Sequence, residues 1–120
     1  MQRLLRGYPK RGQVYIANLN PSFGREIHKV RPVLIISNNN INRIYPLVIA
    51  IPFSSIVPEF IGPDVVKFTG QKGLRKQSVL VVNQIISIDK ERLIRRIDSV
   101  SKAKMVEVEE SLKNVLGLGL

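Results

Sequence analysis

Short apolar runs separated by turn residues fill the first two thirds of the chain and predict β-strands. The run Arg31–Ser37 is nearly all apolar after its first residue, which indicates a strand buried on both faces, with Pro32 tolerated at its start. Asn20, Pro21 and Gly24 are typical of the turn that precedes it. The predicted strands are residues 12–19, 31–37, 47–53, 64–68 (an edge strand), 77–82, 85–88 and 95–100.

The last part of the chain changes to a helical pattern. Ser101 is a typical N-cap residue, and glycines at 117 and 119 predict the end of the helix. One apolar stripe lies between them at spacings of 3, 4 and 3, and comprises Met105, Val108, Leu112 and Val115. Single helical turns are predicted for residues 41–44 and 89–93.

Many short strands followed by one closing helix predict a mainly β fold with a C-terminal helix. The architecture is a small, strongly bent barrel or sandwich that the helix caps. The length of 120 residues, without an obvious linker or internal repeat, predicts one domain over residues 1–120. Because so small a domain buries limited apolar area, we expect a homodimer.

The charge of the chain is strongly basic, with 19 Lys and Arg against 9 Asp and Glu and a formal net charge of +10. This excess predicts attraction to phosphate backbones, anionic membrane surfaces or acidic protein segments; a basic surface without a specific partner is a further alternative. The absence of cysteine excludes disulfides, thiolate catalysis and cysteine-based zinc sites. With no signal-peptide pattern and no apolar stretch near the roughly 20 residues that span a bilayer, we expect a soluble, cytoplasmic protein.

Familiar catalytic patterns are absent from the sequence, which has no Gly-rich phosphate loop, no histidine pair at metal spacing and no nucleophile-elbow serine. Carboxylates are few and scattered, so we expect neither a metal site nor a cofactor. One constellation remains. Arg31 begins a predicted strand and Ser54–Ser55 end another, and such ends converge when they share a sheet edge.

Those residue types suit the cleavage of RNA, whose own 2′-hydroxyl attacks the neighbouring phosphorus without a bound water or metal. The protein has to supply a proton acceptor, a proton donor and fixed positive charge for the developing oxyanion. Glu26 is the candidate acceptor and Ser54 the phosphate-contacting hydroxyl. Arg31 is the candidate charge stabiliser because a guanidinium matches the geometry of a phosphate.

Each of these residues also has a structural explanation. Arg31 can be a surface arginine paired with Glu26, and Ser54 a turn residue that ends a strand. His28, the only histidine, invites an acid–base role, although a lone loop histidine is more often incidental. The basic turn at 75–76 is either solvated charge or a track for a nucleic-acid backbone.

Several motifs, taken in order, resemble the MazF/PemK toxin family. Arg11–Tyr15 (RGQVY), Leu19–Pro21 (LNP) and Arg31–Leu34 (RPVL) are similar to the family's RGDVY-type start, LDP turn and RPVLV strand, and Gly24 and Glu26 fit its intervening loop. The later matches are Ala50–Ser55 (AIPFSS) with an APITS-like segment and Asn83–Leu93 (NQIISIDKERL) with EQIRTIDKxRL. The resemblance therefore covers the chain from Arg11 to about Gly117.

This resemblance implies a small SH3-like, CcdB-like barrel capped by a helix and assembled as a homodimer. It implies a sequence-selective endoribonuclease that acts on single-stranded RNA, leaves a cyclic phosphate and a free 5′-hydroxyl, and is neutralised by an acidic antitoxin. The family's functional arginine, threonine and glutamate correspond to Arg31, Ser54 and Glu26. The residues expected to contact the substrate are Arg25, His28, Lys29, Ser55, Asn83 and Gln84.

Departures from the family pattern leave two points open. Ser54 keeps the hydroxyl of the usual threonine but lacks its methyl group, so activity has to be tested. The loop residues 27–30, and Asn83 in place of a common acid, differ from the pattern, so the cleavage sequence cannot be carried over.

Two other functions compete with RNA cleavage. One is a non-catalytic protein of the same fold that binds an antitoxin or a topoisomerase. The other is a nucleic-acid-binding barrel held by charge alone, with steep salt dependence and little discrimination between DNA and RNA.

Overall fold

The chain folds around one antiparallel sheet against which a C-terminal helix packs. The computed structural model describes residues 7–21, 23–27, 29–75 and 77–119. The strands are β1 (Gln13–Asn18), β2 (Val30–Ile35), β3 (Leu47–Ser54), β4 (Val65–Thr69), β5 (Gln77–Val81), β6 (Ile86–Asp89) and β7 (Leu93–Ser99). The helices are α1 (Asn39–Ile44) and α2 (Lys102–Leu116), and short 3₁₀ turns occupy Val82–Gln84 and Lys90–Arg92.

The sheet has the strand order β4-β5-β3-β2-β1-β7, and β6 pairs with β3 beside β5. β6 and β7 follow one another in the chain and flank the two sides of the β1-β2-β3 meander, so the sheet curls strongly but is not closed. The predicted fold class, mainly β with a C-terminal helix, is confirmed. The strands form a curled open sheet.

Strand β2 lies between two apolar cores, as the sequence predicts, because its alternate side chains point to opposite faces. Leu34 packs into the core that α2 and the β4–β5 hairpin cover, and Val33 packs into the core that β6 and the start of β7 cover. The first core comprises Val14, Leu34, Ile51, Phe53, Val66, Phe68, Leu80, Val82 and Val108. The second comprises Ala17, Leu19, Val33, Ile35, Val48, Ala50, Ile88 and Leu93.

Helix α2 begins and ends where the sequence predicts. The hydroxyl of Ser101 accepts a hydrogen bond from the Lys104 amide at 3.1 Å, and Gly117 ends the helix with φ of 70°. Val108 is fully buried in the middle of the predicted apolar stripe. In the part of the chain that the structure describes, no helix is long and apolar enough to cross a membrane.

The predicted strands 77–82 and 85–88 are both present, and a 3₁₀ turn that the sequence pattern does not predict separates them. The buried side chain of Val82 anchors a 3₁₀ turn over Val82–Gln84, and only then does β6 begin. This turn redirects the chain, so that β6 pairs with the first half of β3 (Ile49 with Ser87) while β5 pairs with its end. The turn also brings Asn83 and Gln84 to the side of the sheet where β3 ends.

Candidate functional site

The ends of β2 and β3 bring Arg31 and Ser54 together. The two strands pair antiparallel with Val33 opposite Pro52, and the same register continued towards the loop places Arg31 opposite Ser54. Both side chains are half-buried, and both line a depression of about 430 Å³. Ser55 and Arg75 line it too, and we call it the arginine–serine depression.

The hydroxyl of Ser54 has a defined local geometry. Its oxygen accepts a hydrogen bond from the Ile56 amide at 3.1 Å, which turns the chain out of β3. Ser54 is therefore a turn residue that ends a strand, as the structural explanation predicts. This position is compatible with a chemical role, because a hydroxyl that accepts one hydrogen bond can still donate its hydrogen to a phosphate oxygen.

The sequence leaves the turn at 75–76 as either solvated charge or a track for a nucleic-acid backbone. In the structure, Arg75 lines the same depression as Arg31. It belongs to the β4–β5 connection, which packs on β7 through Gly73. A Cβ at Gly73 would lie 3.0 Å from Ile97 Cδ1, and φ there is +82°, so glycine permits this close approach. Gln71 holds the same connection by donating to the Ser99 carbonyl at 3.2 Å.

The loop between β1 and β2 presents Glu26. The Glu26 carboxylate accepts a hydrogen bond from the Phe23 amide at 2.6 Å, and the Glu26 amide donates to the Phe23 carbonyl at 3.1 Å. The Ile27 amide donates to the side-chain carbonyl of Gln84 at 2.7 Å, which ties the loop to the 3₁₀ turn after β5. This network fixes the carboxylate near the loop tip while leaving it exposed to solvent.

The base of the same loop is closed by further hydrogen bonds. The Leu19 amide donates to the Lys29 carbonyl at 2.9 Å, and the Lys29 amide donates to Asn20 Oδ1 at 3.0 Å. Arg92 donates to the carbonyl of Asn18 at 3.1 Å and also to that of Asn20. These contacts account for the left-handed φ of 69° at Lys29, a conformation that non-glycine residues adopt rarely.

A groove of about 540 Å³ runs beneath this loop, and we call it the loop groove. Of the residues predicted to act on a substrate, it is lined by Arg25, Glu26, Asn83 and Gln84. Pro52 lines the loop groove and the next residue, Phe53, lines the arginine–serine depression, so both concavities border β3 at consecutive residues.

The structure therefore divides the predicted site residues between two adjoining concavities. The three predicted catalytic residues lie on both sides of the junction, with Glu26 in the groove and Arg31 and Ser54 in the depression. Lys29 is exposed and lines neither concavity; its backbone closes the loop instead. His28 lies outside the described residues, so the prediction for its side chain stays a prediction.

The charge around the junction is predominantly positive. Arg25 and Arg92 line the groove and Arg31 and Arg75 line the depression, against the single carboxylate of Glu26. Such an arrangement favours a polyanion that passes from one concavity to the other. Within the ranges that the structure describes, no three His, Cys, Asp or Glu side chains cluster as metal ligands would.

Comparison with known proteins gives this geometry a context. A family described as the PemK-like, MazF-like toxin of type II toxin–antitoxin systems matches residues 10–116. A protein of Staphylococcus epidermidis named endoribonuclease MazF is 38% identical over 110 residues, which are 91% of this chain and 92% of that protein.

Solved structures agree in fold. An endoribonuclease from a mycobacterial species, solved in complex with its cognate antitoxin, is 27% identical, with 93% of this chain and 98% of that chain covered and a TM-score of 0.77. MazF from Deinococcus radiodurans is 24% identical, with 93% and 99% covered and a TM-score of 0.82.

Proposed function

The chain belongs to the PemK-like, MazF-like toxin family of type II toxin–antitoxin systems, and we propose that it is an endoribonuclease that cuts single-stranded RNA without a metal. The observation that carries the proposal is the convergence of Arg31 and Ser54 in one depression that adjoins the groove of Glu26. One domain, residues 1–120, performs the reaction.

The scissile phosphate lies where the two concavities meet. The 2′-hydroxyl of the preceding ribose attacks phosphorus and passes its proton to the Glu26 carboxylate, and the bond from phosphorus to the 5′-oxygen breaks. The 5′-oxygen takes a proton from water at the open groove. The products are a 2′,3′-cyclic phosphate and a free 5′-hydroxyl.

Arg31 and Ser54 act on the phosphoryl oxygens. The guanidinium of Arg31 neutralises the negative charge that grows as the fifth bond to phosphorus forms, and it is already in place when the substrate arrives. The Ser54 hydroxyl donates a short-range hydrogen bond to the same group. The half-buried setting of both side chains strengthens these interactions relative to bulk water.

RNA on either side of the scissile bond follows the two concavities. Arg25, Asn83 and Gln84 in the loop groove, and Ser55 in the depression, contact the flanking nucleotides. Amide and hydroxyl groups there form hydrogen bonds with the Watson–Crick edges of bases, which are accessible only in unpaired RNA. We also propose Lys29 and His28 as substrate contacts, since both lie in the sequence between β1 and β2, in the segment that borders the groove.

The partner we propose is an acidic antitoxin, in keeping with the net charge of +10. We also propose a cytoplasmic homodimer. Exposed apolar side chains at the end of α1 and the start of β3 support self-association, namely Ile44, Tyr45, Leu47 and Ile49. Light scattering after gel filtration tests this, with Ile49→Lys expected to give a monomer; a monomeric wild type would contradict it.

The test of the proposed activity is cleavage of a long, mixed-sequence RNA in EDTA. Wild type is expected to give discrete fragments, and Arg31→Ala to cut roughly 100- to 1,000-fold more slowly because the preformed oxyanion stabiliser is gone. Arg95→Ala is the matched control, since Arg95 is exposed on β7 and lines neither concavity.

Each result has a distinct meaning. Fragments from wild type and Arg95→Ala, with 2′,3′-cyclic phosphate ends and loss in Arg31→Ala, support the proposal. Equal cleavage by all three proteins assigns the activity to another catalytic set or a contaminant. No cleavage of varied RNAs by folded wild type overturns the enzyme and favours the binding-only toxin fold.

A further inference from the structure

A separate cavity of about 660 Å³ lies at the opposite end of the strands from the loop groove. The groove is lined near the ends of β1 and β3, at Leu19 and Pro52, whereas this cavity is lined near their beginnings, at Gln13 and Pro46. None of the described residues lines both. The proposed cleavage reaction therefore gives this cavity no role.

Lys90 makes the cavity unusual. Lys90 is only 6% exposed and lines the cavity. Its Nζ atom is buried and has no hydrogen-bond partner among the described residues. A buried ammonium without a partner is strongly unfavourable, because it loses its hydration and gains nothing in return. Burial lowers the pKa of Lys90 from its usual value. An anion beside Nζ would reverse both effects.

The surroundings of Lys90 define which anion fits. Lys10 and Arg96 add positive charge, and Leu93 and Ile94 supply apolar wall. The Tyr15 hydroxyl donates to Gln13 Oε1 at 3.3 Å, so its oxygen remains able to accept a further hydrogen bond. These features suit a negatively charged group at the end of a short aliphatic stem.

Two carboxylates also line the cavity and narrow the choice. Asp89 is engaged in capping the following turn, where it accepts from the Glu91 amide at 2.8 Å. The carboxylates of Asp89 and Glu91 repel a phosphate dianion, which carries two negative charges, more strongly than a carboxylate ligand, which carries one. Among the described residues that line the cavity, three cations thus stand against two anions, and a single carboxylate complements this excess.

We propose that this lysine cavity binds a carboxylate side chain of an extended acidic peptide, with Lys90 as its ion-pair partner. The peptide belongs to the acidic partner of the proposed function, on which this inference rests. Because the cavity lies away from the loop groove, the contact secures the partner without occupying the site of the scissile phosphate. It adds affinity through a charge pair that is desolvated on both sides.

Fluorescence polarisation with short labelled peptides tests the inference directly. The probes are synthetic peptides in which Glu alternates with Leu, and the same peptides with Gln in place of Glu. Wild type is expected to bind the Glu peptide, and Lys90→Met to bind it roughly tenfold or more weakly through loss of a charged hydrogen bond. Lys102→Met, an exposed lysine at the start of α2, removes the same charge and is expected to bind normally.

A stability measurement distinguishes a ligand-binding lysine from a structural one. Lys90→Met keeps the aliphatic stem and removes the buried ammonium, so its melting temperature is expected to equal or exceed that of wild type. A lower melting temperature would show that Lys90 stabilises the fold and would overturn the inference. If Lys90→Met does not fold, Arg96→Gln must weaken Glu-peptide binding several-fold, and unchanged binding there overturns the inference instead.

Other occupants give other results. Equal binding of Glu and Gln peptides, or equal loss in Lys102→Met, shows non-specific attraction and overturns the inference. Dissociation of a homodimer by Lys90→Met would assign the cavity to the subunit interface, and loss of RNA binding would assign it to RNA; both also overturn it. RNA cleavage is assayed separately, so active enzyme without peptide binding refutes this inference and leaves the proposed function intact.

Discussion

The two ends of strands β1 and β3 carry opposite kinds of charge arrangement. At the loop groove and the arginine–serine depression, charged side chains are exposed or half-buried. They lie on strand β2 and on loops and turns that hydrogen bonds hold in place. At the lysine cavity, one ammonium is buried, and both apolar and charged side chains line the cavity around it. The first arrangement suits a solvated polyanion, and the second suits one desolvated anionic group.

Residues that act in the proposed reaction and a residue that affects folding stability therefore lie at opposite ends of the same strands. The groove residues are positioned by side chains such as Gln84 and Arg92 that bind loop backbone, so their replacement removes little core packing. Lys90 is buried and lies in the chain between Ile88 and Leu93, two residues of the second apolar core, so its replacement changes the free energy of unfolding. Substitutions at the two ends should therefore be distinguishable by what they change.

Apart from Arg31→Ala, the largest effect is expected for Glu26→Gln. Loss of the proton acceptor should reduce kcat by roughly 100-fold or more. The free energy of unfolding should change by less than about 0.5 kcal/mol, because the side chain is exposed. Single-turnover cleavage measures the change in kcat, and urea unfolding of the same protein measures the change in stability.

A large loss of stability in Glu26→Gln would contradict the claim that groove residues contribute little to folding stability. It would show that Glu26 stabilises the loop through its hydrogen bond with the Phe23 amide. Activity that remained at the wild-type level would remove Glu26 from the reaction and leave the proton acceptor to another group.

Ser54 is expected to give the next largest effect. Ser54→Ala removes a hydrogen bond to a charged group, which corresponds to a loss in kcat of roughly tenfold. Ser54→Thr keeps the hydroxyl and restricts its rotation, so it should retain or raise activity. If Ser54→Ala is fully active, the hydroxyl serves only the turn at Ile56, and the depression holds phosphate through its arginines.

Much of this arrangement follows from local sequence. Alternating and continuous apolar runs predict β2 and its double burial, and the stripe containing Val108 predicts which face of α2 packs inward. Both depend on periodicities of a few residues, which a single sequence carries. The approach of Arg31 to Ser54 also follows, because consecutive antiparallel strands bring those ends together.

The contributions of Arg75 and Lys90 do not follow from local sequence. Arg75 belongs to the β4–β5 connection, which packs through Gly73 against Ile97, a contact between distant segments. Lys90 reads as a surface residue in a charged turn, and its burial depends on how β6 and β7 flank the curled sheet. Long-range packing decides both positions, and no periodicity reports it.

Arg75→Ala is expected to weaken binding of an uncleavable RNA only a few-fold while changing its salt dependence. Removing one phosphate contact lowers the slope of log Kd against log salt concentration by about 0.7 for a single strand. Arg95→Ala is the matched control and should leave the slope unchanged. An unchanged slope in Arg75→Ala would mean that its charge is solvated and that the depression binds phosphate through Arg31.

The smallest effect concerns the other end, where stability should depend on pH through Lys90. Burial lowers the pKa of Lys90 below its usual 10.5, so the unfolded chain binds this proton more strongly than the folded protein does. The cost of the buried ammonium is fully present below the folded-state pKa and is relieved as the pH rises towards 10.5. The stability advantage of Lys90→Met should therefore shrink between neutral pH and about pH 10.

Urea unfolding of both proteins at the two pH values measures this difference. Tyr15, whose pKa burial raises and nearby Arg96 lowers, lines the same cavity and titrates in both proteins, so its contribution cancels in the comparison. Lys10, Asp89 and Glu91 line the cavity in both proteins as well. An advantage that stays constant with pH would mean that Lys90 is already matched by an anion. The lysine cavity would then differ from the loop groove and the arginine–serine depression only in geometry, because the charge of Lys90 would already be paired.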